Sequence, residues 1–130
     1  VIILSGHNLH GGIIGIVASR LKEKFNKPTV IISVSDNIGK ASARSILGFD
    51  IGTFIINAVN KKILLKGGGH KMAGGLSIKE ENINKFKDLI NTSFLKVRKS
   101  LKKTNQIFFD SVISPSAVNN NFYNEIKIEI

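Results

Sequence analysis

The chain has 130 residues, 42% of them hydrophobic, which is ordinary globular material for one domain. Cysteine is absent, so disulfides, thiolate metal sites and a cysteine nucleophile are excluded, and we expect a reducing, cytoplasmic setting. The net charge of +10 favours nucleic acid or another phosphorylated partner, with a merely solvated basic surface as the alternative. No apolar run approaches the roughly 18 residues of a membrane span, so we expect no membrane partner.

The first residues have the pattern of a strand–helix–strand unit. Residues 1–4 are an apolar run, which predicts a buried strand and indicates that the chain begins inside a longer protein. In residues 13–25 apolar side chains recur every four residues, which predicts a helix that ends near Asn26. The β-branched run at 29–34 predicts a second buried strand and completes a βαβ unit. The predicted buried stripe of the helix consists of Ile13, Val17, Leu21 and Phe25.

The rest of the chain alternates between predicted strands and helices. In the third strand, small residues alternate with polar ones, which places Ser45 on the side opposite to Arg44. A long apolar periodicity near the end predicts the last helix. The predicted elements are strands at 40–46 and 76–78, helices at 51–59 and 80–103, and a glycine-rich loop at 67–75.

These elements predict an α/β domain over residues 1–105, with a mixed central sheet flanked by helices. Residues 106–130 contain strand-like stretches at both ends but are too few for a domain of their own. We therefore interpret them as a C-terminal extension that begins a second, incomplete domain.

The glycine-rich segment carries the clearest chemical signal. Between residues 67 and 75, five of nine residues are glycine, and backbone N–H groups without a neighbouring Cβ can converge on one anion. Its Lys and His side chains could add charge-assisted hydrogen bonds. A hairpin whose glycines only satisfy turn geometry is the alternative, and a P-loop is excluded because no Ser or Thr follows the lysine. We interpret as phosphate-binding Gly68, Gly69, His70 and Lys71.

His10 and Gly12 stand where the first helix is predicted to begin. A helix N-terminus presents unpaired N–H groups and a positive dipole end, and both suit a phosphate. His10 could donate to the same anion or carry a proton. We interpret both residues as phosphate-binding, with a simple helix cap as the alternative for His10.

Arg44 lies among small residues on the third predicted strand. Arginine is scarce in this lysine-rich chain, so its presence indicates a need for the planar guanidinium, which binds a phosphate through two hydrogen bonds. We interpret Ser42, Arg44 and Ser45 as a further group of phosphate contacts. A structural salt bridge is the alternative for Arg44.

No catalytic centre is visible in the sequence. The acids are scattered, and no spacing of His and Asp suits two hydrolytic metals. No Ser-His-Asp set is indicated either. We expect binding groups without a complete catalytic set, and no metal or cofactor held by this chain.

Three linked motifs together resemble one family. The resemblance is to the DHH-associated substrate-binding domain of RecJ-type single-strand-specific DNA exonucleases, and it covers about residues 5–105. Because the motifs occur in the family's order, the resemblance is specific. The motifs are His10-x-Gly12, Ser42-Ala43-Arg44-Ser45 and Gly68-Gly69-His70.

The resemblance implies a division of labour between two domains. A DHH catalytic domain, in cis or as a separate chain, would hold Mn²⁺ or Mg²⁺ and cut single-stranded DNA from its 5′ end during repair and recombination. This domain would grip the DNA backbone. His10, Arg44 and His70 would lie near the scissile phosphate, supported by Ser42, Ser45 and the loop glycines. The resemblance also implies that residues 106–130 begin an oligonucleotide-binding fold.

Two departures from the family and three alternatives stand beside this interpretation. Leu9 replaces a usual aromatic residue, and Gly74 a usual alanine. DHH-type phosphodiesterases for cyclic dinucleotides or short oligonucleotides share the Gly-Gly-Gly-His segment, although the His10 and Arg44 motifs favour the exonucleases. The editing-associated domain of alanyl-tRNA synthetase lacks a His after its third glycine, so His70 argues against it. An inactive remnant of a split gene is the third alternative.

Overall fold

The structure, a computed structural model, describes the backbone of residues 1–103 and the side chains of residues 1–100. The strands predicted after residue 105, and the predicted start of an oligonucleotide-binding fold, lie outside the described residues. In chain order the elements are β1 (Ile2–His7), α1 (Gly11–Phe25), β2 (Thr29–Ser35), β3 (Ile38–Arg44), α2 (Ile51–Asn60), β4 (Lys66–His70), β5 (Ala73–Lys79), a 3₁₀ turn (Glu80–Asn82) and α3 (Ile83–Lys103).

The five strands form one mixed sheet flanked by helices, and the predicted α/β class is confirmed. Their order is β1-β2-β3-β5-β4, with β1 and β2 parallel and every other pair antiparallel. Helix α1 packs on one side of the sheet over β2 and β3, while α2 packs against β4 and β5. The main core lies on the side of α2 and α3, where Phe86 and Ile90 are fully buried with Val30 and Ile32 of β2. None of the described helices is long and apolar enough to cross a membrane.

Helix α1 forms where the sequence predicts it, and the predicted stripe is right for Val17 and Leu21, which are partly buried against the sheet, but wrong for its two ends. Ile13 and Phe25 are 55% and 51% exposed, and the buried residues are Ile14 and Ala18, which pack against Ile31 of β2. Gly15 faces β3 closely, since a Cβ there would lie 3.3 Å from Ser42 Oγ. The predicted end is confirmed, since Asn26 has the left-handed conformation of a C-terminal cap.

Strand β1 is longer than the apolar run that predicts it, and it is not buried. It lies at an edge of the sheet, and Leu4 is 52% exposed. An apolar run of this length predicts a strand but does not tell an edge from the centre.

The predicted glycine loop is instead a β-hairpin formed by β4, a two-residue turn and the start of β5, as in the alternative considered for it, which corrects the expected convergence of amides on one point. Gly68 pairs with Gly75 and Gly69 with Gly74 in the ladder between β4 and β5. Close packing accounts for part of the glycine content, because a Cβ on Gly67 would lie 2.6 Å from the Ile55 side chain of α2. A Cβ on Gly69 would collide with the backbone of β5.

Candidate functional site

The strand register brings two of the predicted motifs together on one face of the sheet. Ile31, which packs against α1, lies opposite Ser42 of β3, and directly opposite residues share a face. Continuing across β5 and β4 gives what we call the glycine row, which consists of Ser42, Gly75 and Gly68. A second row, the arginine row, crosses the same face two residues further along each strand. It consists of Arg44, Ala73 and His70.

This face of β3, β5 and β4, the open face, lies beside α1. Within the described residues α1 packs on β2 and β3 and does not extend over β4. Gly75 and His70 are exposed, and a Cβ on Gly68 would meet no atom within 4 Å. Within the part of the chain that the structure describes, the open face is therefore accessible to a large ligand that lies along the strands.

Arg44 is held by hydrogen bonds rather than by an acid. Its Nε donates to Ser19 Oγ of α1 at 3.1 Å, and its Nη1 donates to Ser42 Oγ at 3.1 Å and to the Ala43 carbonyl at 2.9 Å. Among residues 1–103 the ion pair present is His7–Glu80, so the salt bridge considered for Arg44 is not formed there. Because a guanidinium has five N–H donors, the two on Nη2 have no partner among the described residues, in a side chain that is already fixed.

His70, at the other end of the arginine row, is fixed through one ring nitrogen. Its Nδ1 accepts from the Met72 N–H at 3.3 Å, so in the neutral ring the proton is on Nε2. The side chain is exposed. With neighbouring strands about 4.8 Å apart, the backbones of Arg44 and His70 are separated by about 10 Å across β5. Arg44 and His70 thus lie on the same face of the sheet, with Ala73 of β5 between them.

His10 is the N-cap of α1, which confirms the cap interpretation. Its Nδ1 accepts from the Gly12 N–H at 3.1 Å. The Gly12 N–H expected from the sequence as a phosphate donor is therefore already bonded, whereas Nε2 of His10 and the Gly11 N–H have no partner among the described residues. A hydrogen bond of 2.7 Å from Ser33 Oγ to the Leu9 carbonyl ties the helix start to β2.

Comparison with known proteins shows the family to which the chain belongs. Residues 1–96 match the family model described as the DHHA1 domain. The chain belongs to the DHHA1 domain family.

Individual relatives narrow the similarity within the family. The chain is 40% identical over 85 residues to the single-stranded-DNA-specific exonuclease RecJ of Haemophilus influenzae, covering 63% of this chain and 15% of that protein. RecJ from Thermus thermophilus, solved in complex with Mn²⁺, superimposes with a TM-score of 0.65 at 28% identity, over 73% of this chain and 14% of that one. The C-Ala domain of Aquifex aeolicus alanyl-tRNA synthetase shares the fold alone, with a TM-score of 0.55 at 14% identity over 68% of this chain and 87% of that one. This DHHA1 domain thus spans about a seventh of the RecJ proteins that it matches.

Ser45 corrects the predicted group of phosphate contacts. It is fully buried, and its hydroxyl donates to the Phe49 carbonyl at 2.6 Å. It follows β3 on the side of Ala41 and Ala43, which face the main core. A hydroxyl that is closed off from solvent and already bonded supports the loop after β3, not a ligand.

Lys71 lies at the tip of the β4–β5 hairpin rather than on a loop that surrounds an anion. The tip is anchored, since the carbonyls of Lys71 and Met72 accept from the amides of Ile51 and Ser45 at 3.2 and 2.8 Å. The pKa of Asp50 is lowered, chiefly by the hydrogen bond from the Thr53 backbone N–H and in smaller part by the Lys71 charge. Lys71 thus shares its surroundings with a carboxylate, unlike Arg44.

Two residues that position Arg44 were missed in the sequence. Ser19 accepts from its Nε, and Gly15 provides space beside it, because a Cβ there would lie 3.4 Å from Nη2 and 3.3 Å from Ser42 Oγ. The only signal was the pair of small residues four apart on α1, one helical turn.

The residues of this DHHA1 domain do not fit a divalent metal ion. Among residues 1–103 no group of three or more His, Cys, Asp or Glu side chains is close enough to hold one. The open face instead presents arginine, histidine, serine and glycine, which are donors for an anion rather than ligands for Mg²⁺ or Mn²⁺. What this arrangement can do chemically is bind and orient a phosphate.

Proposed function

We propose that this DHHA1 domain is the nucleic-acid-binding part of a metal-dependent exonuclease that cuts single-stranded DNA from its 5′ end, in DNA repair and recombination. The observation that carries the proposal is the arginine row. It aligns Arg44 and His70 on one face of the sheet with Ala73 of β5 between them, and no acid is bonded to the guanidinium among the described residues. The similarity to RecJ over residues of this same domain supports the choice of substrate.

In this function the domain holds and neutralises a phosphate. Charge builds up on the phosphoryl oxygens during cleavage, and fixed donors that need not reorganise stabilise it most. Arg44 meets this requirement because Ser19, Ser42 and Ala43 hold it in place before a ligand arrives. A DHH domain, in the same protein or as a separate chain, would hold Mn²⁺ or Mg²⁺ and supply the hydroxide.

The proposed contacts are to the backbone rather than to the bases. No aromatic side chain lies in the arginine or glycine row, and the four phenylalanines from Phe49 to Phe94 are buried on the other side of the sheet. If the open face of the described residues supplies the contacts, binding is expected to depend weakly on sequence and strongly on salt.

The experiment is a salt titration of binding to a 3′-fluorescein-labelled 20-mer of thymidylate, followed by anisotropy. Affinity is expected to fall linearly with the logarithm of salt concentration, and Arg44→Ala to lower the slope by about 0.7, the value for one phosphate of a single strand. Lys96→Ala, which removes an exposed charge from α3 on the other side of the sheet, is the matched control. Salt-insensitive binding, or equal losses in both variants, would contradict the proposal.

A further inference from the structure

A third row of residues crosses the open face and is used by none of the contacts proposed so far. Ser77 of β5 lies opposite Lys40 of β3 on one side and opposite Lys66 of β4 on the other. These three residues, the lysine row, are two positions along the strands from the glycine row and therefore face the same way. Both lysines are exposed, and they line a shallow groove of about 590 Å³ together with Gly75 and Ser77.

Among the described residues no acid is paired with the positive charges of the lysine row. Neither Lys40 nor Lys66 forms an ion pair within residues 1–103. Asp36 lines a neighbouring pocket with Lys40 but lies beyond ion-pair distance of it. Two ammonium groups lie on either side of one buried serine, with no acid bonded to them. They repel each other and attract an anion such as a phosphate.

The distance between the two charged rows decides how many phosphates they can hold. Lys40 and Arg44 are four residues apart on β3, which corresponds to about 13 Å along the strand. That is too far for one phosphate to bridge, and it corresponds to roughly two nucleotides of an extended single strand that follows a charged groove. The rows can therefore bind two different phosphates of the same strand.

Between the lysine row and the arginine row, two residues of the glycine row, Gly68 and Gly75, lack a side chain although packing does not require it. Gly67, Gly69 and Gly74 are each required by packing, since a Cβ on any of them would lie within 2.6 Å of a neighbouring atom. Gly68 has no atom within 4 Å of a Cβ position, and at Gly75 the nearest, the Ala41 carbonyl oxygen, is 3.8 Å away. Glycine at these two positions is explained by the close approach of a ligand to the backbone.

We propose that Lys40 and Lys66 form a second phosphate subsite, so that the open face holds a run of at least three nucleotides with its backbone lying over Gly68 and Gly75. This proposal rests on the proposed function and adds a length requirement to it. A dinucleotide reaches only one of the two charged rows, whereas a longer single strand contacts both.

The test compares two unlabelled 5′-phosphorylated ligands, a thymidylate dinucleotide and a thymidylate octamer, by NMR titration of the full 130-residue chain. The variant Lys40→Ala/Lys66→Ala is expected to bind the octamer at least tenfold more weakly and the dinucleotide within twofold of the unchanged protein. Lys96→Ala/Lys99→Ala removes the same charge from α3 and is expected to leave both affinities within twofold. The amide spectra show directly whether each variant is folded.

The outcomes separate this subsite from the function on which it rests. If Arg44→Ala weakens octamer binding and the double variant of the lysine row does not, the subsite is wrong and the proposed function stands. If the double variant loses the dinucleotide as strongly as the octamer, the length requirement is wrong. If the unchanged protein binds neither ligand at low salt, both proposals fail.

Discussion

Gly67 and Gly68 are adjacent residues of β4, and their replacement by alanine is expected to change the free energy of unfolding in opposite directions. A Cβ on Gly67 would lie 2.6 Å from Ile55 Cγ2 and 3.0 Å from the Gly75 carbonyl oxygen, and such overpacking costs about 1–3 kcal/mol. A Cβ on Gly68 meets no atom within 4 Å, and the Gly68 backbone is not in the left-handed region. Gly68→Ala is therefore expected to stabilise by about 0.4–1 kcal/mol, because the unfolded chain loses conformational freedom.

Thermal unfolding followed by circular dichroism measures this difference. At about 4–8 °C per kcal/mol for a domain of this size, Gly67→Ala is expected to lower Tm by several degrees and Gly68→Ala to raise it by a few. A larger side chain in Gly68→Val projects onto the open face, so octamer binding is expected to weaken while the fold is kept. If Gly68→Ala lowers Tm as much as Gly67→Ala does, the open face is covered and the reasoning about its bare floor is refuted.

Three further predictions concern single side chains. Arg44→Lys keeps the charge but loses the hydrogen bonds of the guanidinium. In the anisotropy assay it is therefore expected to recover less than half of the DNA-binding free energy that Arg44→Ala loses. Full recovery would contradict the role of the guanidinium. Ser45→Ala leaves the Phe49 carbonyl without its donor and is expected to lower the free energy of unfolding in urea by about 1–3 kcal/mol. Its DNA affinity is expected to stay unchanged. Weaker DNA binding by the folded variant would show that Ser45 belongs to the binding site. The pKa of Asp50 is lowered below its usual 3.8, so the stability that the carboxylate contributes is present above the unfolded pKa and is lost as pH falls through the folded pKa. Asp50→Asn keeps a good cap and is expected to lose less stability than the unchanged protein below pH 4. Identical acid unfolding curves for the two proteins would contradict this.

The fold class was predictable because periodicity is strong in the elements that pack against the core. The long stripe through Phe86 and Ile90 and the β-branched run of β2 leave little choice between helix and strand. The orientation of α1 was not predictable, because a repeat of four residues fits both the Ile13 stripe and the Ile14–Ala18 face. In the structure the Ile14–Ala18 face is buried, with Val17 and Leu21 partly buried beside it and Gly15 close to β3.

The candidate site divides in the same way. Arg44 and His70 were found because charged or titratable residues among small ones are conspicuous in the sequence, whereas their alignment depends on the register. That register is set by the two-residue turn between His70 and Ala73. Glycine has low strand propensity, so β4 could not be recognised before its pairing with β5 was known. Ser45 was grouped with Arg44 by the motif, although the alternation of the strand already placed it on the other side.

The most direct test of the central claim is a map of the amide NMR shifts that a thymidylate octamer causes in this chain at low salt. Binding on the open face is expected to shift the amides of Gly68, His70, Gly75 and Ser42, while the exposed face of α3 around Lys96 stays unchanged. Shifts that cluster on α3, with β4 and β5 unaffected, would show that the basic charge of the chain binds DNA elsewhere and would contradict the account.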